Sequence, residues 1–493
     1  MFKFFLNSKR QYPIVAAIAS GLYPLIFYYS RNFTMIDSWE HLGIFVALFL
    51  VFPIIVFKIA DVFAIKSTFS AGKYLLPFLN LFLFLFLLKI ILFTGPQKKI
   101  ILGILIFSAI VVYFFYPHFK KWILFQLILA AIGLFTLVPV LAQNLAYSHD
   151  WAQQPDAIEK VILKKKPNIY YIQPDGYVNF SELKKGYYNY DNTDFEDYLA
   201  ANNFSIYPNF RSNYDGTLAS NSSTFMMKHH LYSANAGHGE VARARDIVMG
   251  ENMVLKILKN NGYKTYFFSE YPYLLMNRPS IEYDYSNFSY SEVPFFGSGL
   301  ENKKEILPDF KRILEEDADA QPKFFFVEIF NPKHIDGSSD GKNIVESKRT
   351  EYLRNLAKAN GLLKETIGVI LKNDPDALIM IMADHGGYVG MERPQQGNVK
   401  TDDENLVRSV FSSILSIHWP QQNAPAFEDS LKTSVNVFRI LFSDLSENPS
   451  YLRYLEEDIT YGLILKGAPK GIYELIDENN KVVFKAKTLF GEE

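Results

Sequence analysis

Five runs of almost unbroken apolar residues fill the first third of the chain, centred on Ile14–Tyr29, Gly43–Ile65, Tyr74–Phe93, Ile100–Tyr116 and Trp122–Ala146. Several approach the ~20 residues a helix needs to cross ~30 Å of hydrocarbon. A buried helical core is the competing explanation, but five runs with almost no polar face argue against it. A cleaved leader does not suit the pattern either, since four more runs follow the first. The runs predict an all-α domain of five transmembrane helices over residues 1–147.

The loops between the runs carry an orientation signal. Lys3, Lys9, Arg10, Lys66, Lys73, Lys120 and Lys121 lie on one side, against Arg31, Lys98 and Lys99 on the other. Cytoplasmic loops favour Lys and Arg, so the amino terminus is expected inside. Five crossings then put everything after Ala146 on the outer face. Residues 148–166 turn polar and end in Lys164-Lys165-Lys166, which reads as a juxtamembrane linker. A formal charge of −2 leaves no basic surplus for nucleic acid. With no cysteine in 493 residues, thiol nucleophiles and Cys-ligated zinc are excluded.

Beyond the linker, residues 167–493 alternate apolar strand-like runs with amphipathic helical patterns. Strands are expected at Pro167–Gln173, Tyr263–Ser269, Lys323–Phe330, Ala377–Ala383 and Ser409–His418. Helices are expected near Phe195–Asn202, Met253–Asn260, Glu305–Glu316, Ser347–Lys372 and Ser434–Ser443. Nearly continuous hydrophobic strands between helices indicate an α/β domain, a mostly parallel sheet covered on both faces. Ligands of such sheets bind outside the carboxyl ends of the strands.

Two strands end on carboxylates. The first runs into Asp175-Gly176, and ALIMIM runs into Ala383-Asp384-His385-Gly386-Gly387. Asp-Gly and His-Gly are common turn pairs, so each alone is readily explained as a turn. In a parallel sheet, however, Asp175, Asp384 and His385 emerge at one edge, where three such ligands suit a divalent cation. The two glycines are expected to leave room for a substrate. Between these strands lies Arg211-Ser212-Asn213-Tyr214-Asp215-Gly216-Thr217, followed by a helix-forming segment with Ser220, Ser222 and Ser223. Thr217 is either an ordinary helix cap or a hydroxyl nucleophile at a natural anion site.

These segments together resemble the alkaline phosphatase/sulfatase superfamily, in its membrane-anchored branch with lipoteichoic acid synthases and lipid A phosphoethanolamine transferases. PNIYYIQPDGY resembles the strand with the metal carboxylate, SNYDGTLASNSS the nucleophile segment, KFFFVEIFNPKH the strand leading to a substrate-side histidine, and IMADHGG the metal motif. The resemblance implies one divalent metal ion, Zn2+ or Mn2+, held by Asp175, Asp384, His385 and Thr217, with Thr217 also the nucleophile and Ser220 its alternative. It implies His334 as a second catalytic residue, acting as general acid or as donor to a phosphate oxygen. Arg211, Arg278 and His238, and behind them His229 and His230, become substrate-binding candidates.

What the resemblance implies for function is a metal-dependent phosphotransferase of the bacterial cytoplasmic membrane, with its catalytic domain facing the periplasm or cell exterior. Its donor would be a phospholipid or lipid-linked molecule, and its acceptor a glycan or lipid of the envelope. An anchored hydrolase using water, or a non-catalytic member, are the alternatives. The chain departs from ordinary sulfatases, having neither cysteine nor a Ser-x-Pro-x-Arg signature to become formylglycine, and one aspartate where they use an adjacent pair.

Overall fold

The computed structural model describes residues 5–6, 8, 10–66, 72–93, 95, 97–234, 241–317, 319–336 and 343–490. The chain divides into two compact units. One is Met1–Ala146 with Met276–Arg278 and Phe295–Gly297; the other is Tyr147–Leu275, Pro279–Pro294 and Ser298–Glu493.

The first unit is helical: Pro13–Ile36, then Trp39–Val46 running through a π turn into Phe52–Lys66, then Gly72–Leu92, Lys98–Phe115 and Phe119–Leu145. Large apolar side chains such as Phe107, Phe114 and Phe135 point outward and are more than half exposed. Water penalises such a surface and hydrocarbon does not. Four helices among the described residues are long and apolar enough to cross a membrane. The expected fourth and fifth runs join into one stretch, Lys98–Ala152, which at 55 residues is more than twice the length of a single crossing. A 3-10 turn at Tyr116–His118, with Pro117 inside it, breaks that stretch.

One polar contact ties three of these helices together. Asn80 Nδ2 donates to Gln126 Oε1 at 2.8 Å and to Ala16 O at 2.8 Å, while Gln126 Nε2 donates back to Asn80 Oδ1 at 3.1 Å. Both side chains are buried. Hydrogen bonds between membrane helices contribute roughly 0.6–2 kcal/mol, and breaking one side strands the other amide. Asn80→Leu should therefore lower the melting temperature in detergent. The double variant Asn80→Leu/Gln126→Leu should recover much of the loss, as a thermal-melt double-mutant cycle would read out.

The second unit is built on a seven-stranded sheet: β1 Ile169–Pro174, β2 Phe204–Ile206, β3 Lys264–Ser269, β4 Tyr285–Ser286, β5 Lys323–Ile329, β6 Leu378–Met382 and β7 Leu415–His418. Their order is β2-β7-β6-β1-β5-β3-β4. Strands β6, β1, β5, β3 and β4 pair in parallel, whereas β7 runs antiparallel to both β6 and β2, making the sheet mixed. The expected strand Ser409–His418 begins only at Leu415, because Glu404–Phe411 is a helix. Val407, Val410 and Phe411 are buried at helical spacing, and that period prevails over the strand-like apolar run expected there. A second, antiparallel sheet follows, of β8 Thr460–Ile464, β9 Gly471–Ile476 and β10 Val482–Leu489.

Both faces of the main sheet are covered. On one, the Ile344–Asn373 helix buries Leu356, Ala359, Leu363, Ile367 and Ile370 among residues that include Ile172, Val327 and Ile381. On the other, Tyr171 of β1 and Phe326 of β5 meet Phe225 of the Thr217–Met226 helix, and Tyr171 also meets Phe438 of the Val437–Leu445 helix. Residues 147–166 belong to this unit. Ile158, Val161 and Leu163 are buried, and Lys164 and Lys165 pair with Glu447 and Asp444.

Candidate metal centre and nucleophile

The middle strand β1 has β6 and β5 as its parallel neighbours, and each of the three delivers a polar group just beyond its carboxyl end. Asp175 follows β1, Asp384 and His385 follow β6, and His334 lies beyond β5. The three turns are locked to one another. Asp175 N donates to Ile329 O at 2.8 Å, Lys333 N to Asp175 O at 2.8 Å, and Gly176 N to Asp384 Oδ1 at 3.2 Å. Gly176 has φ +67°, and a Cβ there would lie 2.7 Å from His334 N. The glycine is therefore required by both its conformation and the backbone beside it.

Asp175, Asp384 and His385 offer ligand atoms that all lie within 4.8 Å of one another. His385 Nε2 is 3.5 Å from Asp175 Oδ1 and 3.4 Å from Asp384 Oδ2. On the other side of the ring, Nδ1 lies 2.8 Å from Gly386 O, which can only accept. The proton is thus on Nδ1, leaving the Nε2 lone pair facing the carboxylates. Asp175 Oδ1 and Asp384 Oδ2 are buried without a hydrogen-bond partner. Two carboxylates this close repel by roughly 4 kcal/mol at an effective dielectric of about 20. Burial, and then Asp384, push the Asp175 carboxyl up to about 7. Burial lowers His385, but Asp384 and Asp175 outweigh it and raise it. A divalent cation removes every one of these costs, so the residues fit one.

A pH dependence follows. A raised carboxyl must give up its proton when a cation binds. Apparent Zn2+ affinity should therefore climb as pH rises from 5 through about 7, as the Asp175 carboxyl and the raised His385 ring give up their protons. Chelator competition at a series of pH values measures this. An affinity flat across that range contradicts it.

Thr217 opens the ten-residue Thr217–Met226 helix. Its cap position, Gly216, has no side chain to satisfy the first N–H groups, unlike the helices capped by Asn179 and Asn252. Those groups are left to an anion. The segment is tied to the carboxylate cluster through Tyr388, whose hydroxyl donates to Asp215 O. The Tyr388 ring sits edge-on to His385 at 5.7 Å and at 5.4 Å from His334. Asp215 Oδ1 accepts from Tyr232 OH at 2.7 Å.

His334 Nδ1 contacts Ile335 O, so its proton lies there and Nε2 carries the lone pair. Burial, followed by the nearby His385, lowers its pKa to about 4. That shift favours the uncharged ring at neutral pH.

The remaining described candidates are held by other partners. Arg211 is buried with its guanidinium donating to Asp458 O and to Asp477 O. Arg278 belongs to the helical unit, where it stacks 3.9 Å from the Phe295 ring centroid and pairs with Glu40. His230 stacks 4.0 Å from Tyr214, accepts from Tyr232 N and donates to Ala219 O, so both its nitrogens are spent. His229 bridges Tyr214 OH and Glu457 O. Ser220 and Ser222 donate to the carbonyls of Tyr214 and Leu218. His238 lies outside the described residues. The glycines after His385 serve packing rather than substrate access: a Cβ on Gly386 would lie 2.3 Å from Ser409 O, and one on Gly387 2.2 Å from Tyr352. Tyr388 went unnoticed in the sequence, although it stands only three residues beyond His385.

Residues 179–439 match the sulfatase family. No curated protein matches the chain at a significant level. Among solved structures it is similar to the C-terminal periplasmic domain of EcEptC from Escherichia coli in complex with Zn, with 14% identity, 64% of this chain and 93% of that chain covered, and a TM-score of 0.43. It is also similar to lipooligosaccharide phosphoethanolamine transferase A (EptA) from Neisseria meningitidis, with 11% identity, 88% and 95% covered, and a TM-score of 0.41. For the lipoteichoic acid synthase LtaP from Listeria monocytogenes the figures are 12% identity, 66% and 91% covered, and 0.41. The family match spans more than half of the chain and takes in Thr217, His334, Asp384 and His385, with Asp175 just ahead of it. By that match, the chain belongs to the sulfatase family.

Proposed function

We propose that this protein is a membrane-anchored, metal-dependent phosphotransferase. In this reading Thr217 is the nucleophile, the donor is a phospholipid or lipid-linked molecule, and the acceptor is a glycan or lipid of the bacterial envelope. The observation that carries it is the buried cluster of Asp175, Asp384 and His385, two of whose carboxylate oxygens have no partner. Asp175, Asp384 and His385 would hold one divalent cation, Zn2+ or Mn2+, with Thr217 Oγ as a further ligand. A bound cation supplies Lewis acidity, lowering the pKa of a hydroxyl and offsetting charge on phosphate oxygens.

The chain's own residues supply the rest. In the first step a bond forms between Thr217 Oγ and phosphorus, the bond to the donor's alcohol breaks, and the Thr217 proton leaves with that alcohol. The uncapped N–H groups at the helix start stabilise the phosphoryl oxygens. In the second step the acceptor oxygen bonds to phosphorus, the Thr217 Oγ–phosphorus bond breaks, and the acceptor's proton passes through His334 Nε2 to the departing Thr217 Oγ. Crossing the membrane twice within Lys98–Ala152 would give five spans and put the catalytic unit on the outer face of the cytoplasmic membrane. There, anchoring confines donor and enzyme to one surface.

The test uses full-length protein in phospholipid nanodiscs with Zn2+ or Mn2+ added. Release of diacylglycerol or an equivalent lipid alcohol should require the metal and stop on chelation. Metal-independent release, or none with any phospholipid, would sink the proposal. Release without an added acceptor would identify water as the acceptor and the protein as a hydrolase.

A further inference from the structure

Directly beneath Asp175 lies a layer of buried polar side chains that the proposed reaction does not use. Gln173 on β1, Glu328 on β5 and Ser269 on β3 are neighbours in register. All three are fully buried. Gln173 Oε1 accepts from Tyr171 OH, but Gln173 Nε2 has no partner, and neither has Glu328 Oε1.

The covering helix brings a third group to the same place. Phe225 meets Tyr171 and Phe326, with ring centroids 6.2 and 5.1 Å apart. Asn221 precedes Phe225 by four residues on the same helix face, and Gln173 and Glu328 follow Tyr171 and Phe326 by two on the same strand face. One helical turn of ~5.4 Å roughly matches two strand residues of ~6.6 Å. Tyr388 ties the start of this helix to His385 beyond β6, so the helix runs opposite to the strands, which brings Asn221 to the level of Gln173 and Glu328 and Thr217, one turn further, to that of Asp175. Asn221 is 1% exposed, and both its amide atoms lack partners.

Geometry and burial together favour a protonated Glu328. Ser269 Oγ is 2.7 Å from Tyr271 O and 2.9 Å from Glu328 Oε2. A hydroxyl has one hydrogen and a carbonyl can only accept. With that hydrogen on Tyr271 O, the second contact is a hydrogen bond only when Glu328 carries a proton and donates it. Complete burial acts in the same direction, raising the Glu328 pKa. The layer thus presents two unpaired amide donors, on Gln173 and Asn221, and two unpaired acceptors, on Asn221 and Glu328.

Leaving four such groups bare costs about 1–3 kcal/mol each. Water is the ligand that serves donors and acceptors together, given two to four polar partners. Resting on the proposed function above, we infer that Gln173, Asn221 and Glu328 enclose a buried water site that positions Asp175 and Thr217 for cation binding and transfer. Glu328 is accordingly a positioning residue that acts through its hydrogen bonds and carries no charge.

The test compares Glu328→Gln, Glu328→Leu and Asn221→Leu in the full-length protein in detergent. It reads Zn2+ affinity by chelator competition, phosphodiester turnover and melting temperature. Glutamine reproduces a neutral acid, with a donor for Ser269 and an acceptor toward the layer, and should stay within about threefold of wild type. The leucine variants should lose Zn2+ affinity and turnover by about 10–100-fold, the usual scale for outer-shell partners of a metal site. Their melting temperature should hold or rise, since apolar atoms replace stranded polar ones. Wild-type affinity and turnover in the leucine variants would overturn the inference. So would a parallel loss of stability and affinity in all three variants. Wild-type protein that takes up no Zn2+ would instead overturn the metal site itself, and this inference with it.

Discussion

Replacing Asp384 with asparagine abolishes tight Zn2+ or Mn2+ binding and lowers turnover by about a thousandfold or more, yet the metal-free protein melts no lower than wild type. Asp384 has favourable partners in Gly176 N and, when its ring is protonated, His385, and an unfavourable one in Asp175. Asp384 Oδ1 accepts from Gly176 N, and an asparagine oxygen can keep that bond. Asp384 Oδ2 has no hydrogen-bond partner and lies 3.4 Å from His385 Nε2. An amide NH2 in its place would donate to that lone pair. Losing the charge also relieves the buried repulsion with Asp175. Inductively coupled plasma mass spectrometry and a thermal melt of the same preparation measure both halves. A variant that loses stability together with metal would show that Asp384 serves the fold.

The second large effect is at Thr217. Thr217→Ala should keep the metal within a few-fold, because Asp175, Asp384 and His385 remain, while turnover falls by about a thousandfold or more. Thr217→Ser should retain a substantial part of the activity, since it restores the hydroxyl at the helix start. Undiminished turnover in the alanine variant would remove Thr217 from the reaction and leave its position to be explained by helix geometry alone.

The parts of this molecule legible in its sequence are those where one physical demand dominates. Strands β1, β3, β5 and β6 are buried on both faces, so each reads as a continuous apolar run. Their parallel arrangement then brings Asp175 and Asp384 to one edge without further information. The segment before β7 reads as part of a strand because Val410-Phe411 and Ile414-Leu415 look like one apolar run, although the two pairs recur at helical spacing. Strand β10 shows no continuous apolar run because most of its side chains are exposed.

The partners of the charged candidates were illegible for a different reason. Arg211 looks available in the sequence, but its acceptors are main-chain carbonyls of Asp458 and Asp477, some 250 residues away. His230 is consumed by Tyr232 N and Ala219 O, local backbone groups whose geometry only the fold determines. His334 lies beyond β5 as the sequence implies, whereas its protonation depends on burial and on His385, which no spacing reveals. The family name carries its own lesson. A chain with no cysteine and no Ser-x-Pro-x-Arg shares the sulfatase fold without the formylglycine precursor, so its chemistry must be argued from Thr217 and the cluster beside it.

The most direct test of this account is mass spectrometry of the Thr217-containing peptide after incubating the metal-loaded, full-length protein with phospholipid and quenching in acid. The account predicts a phosphate-diester adduct on Thr217, absent without metal, absent in Thr217→Ala, and accumulating when His334→Ala slows the second step. Steady turnover with an unmodified peptide, or an adduct on another residue, would contradict it.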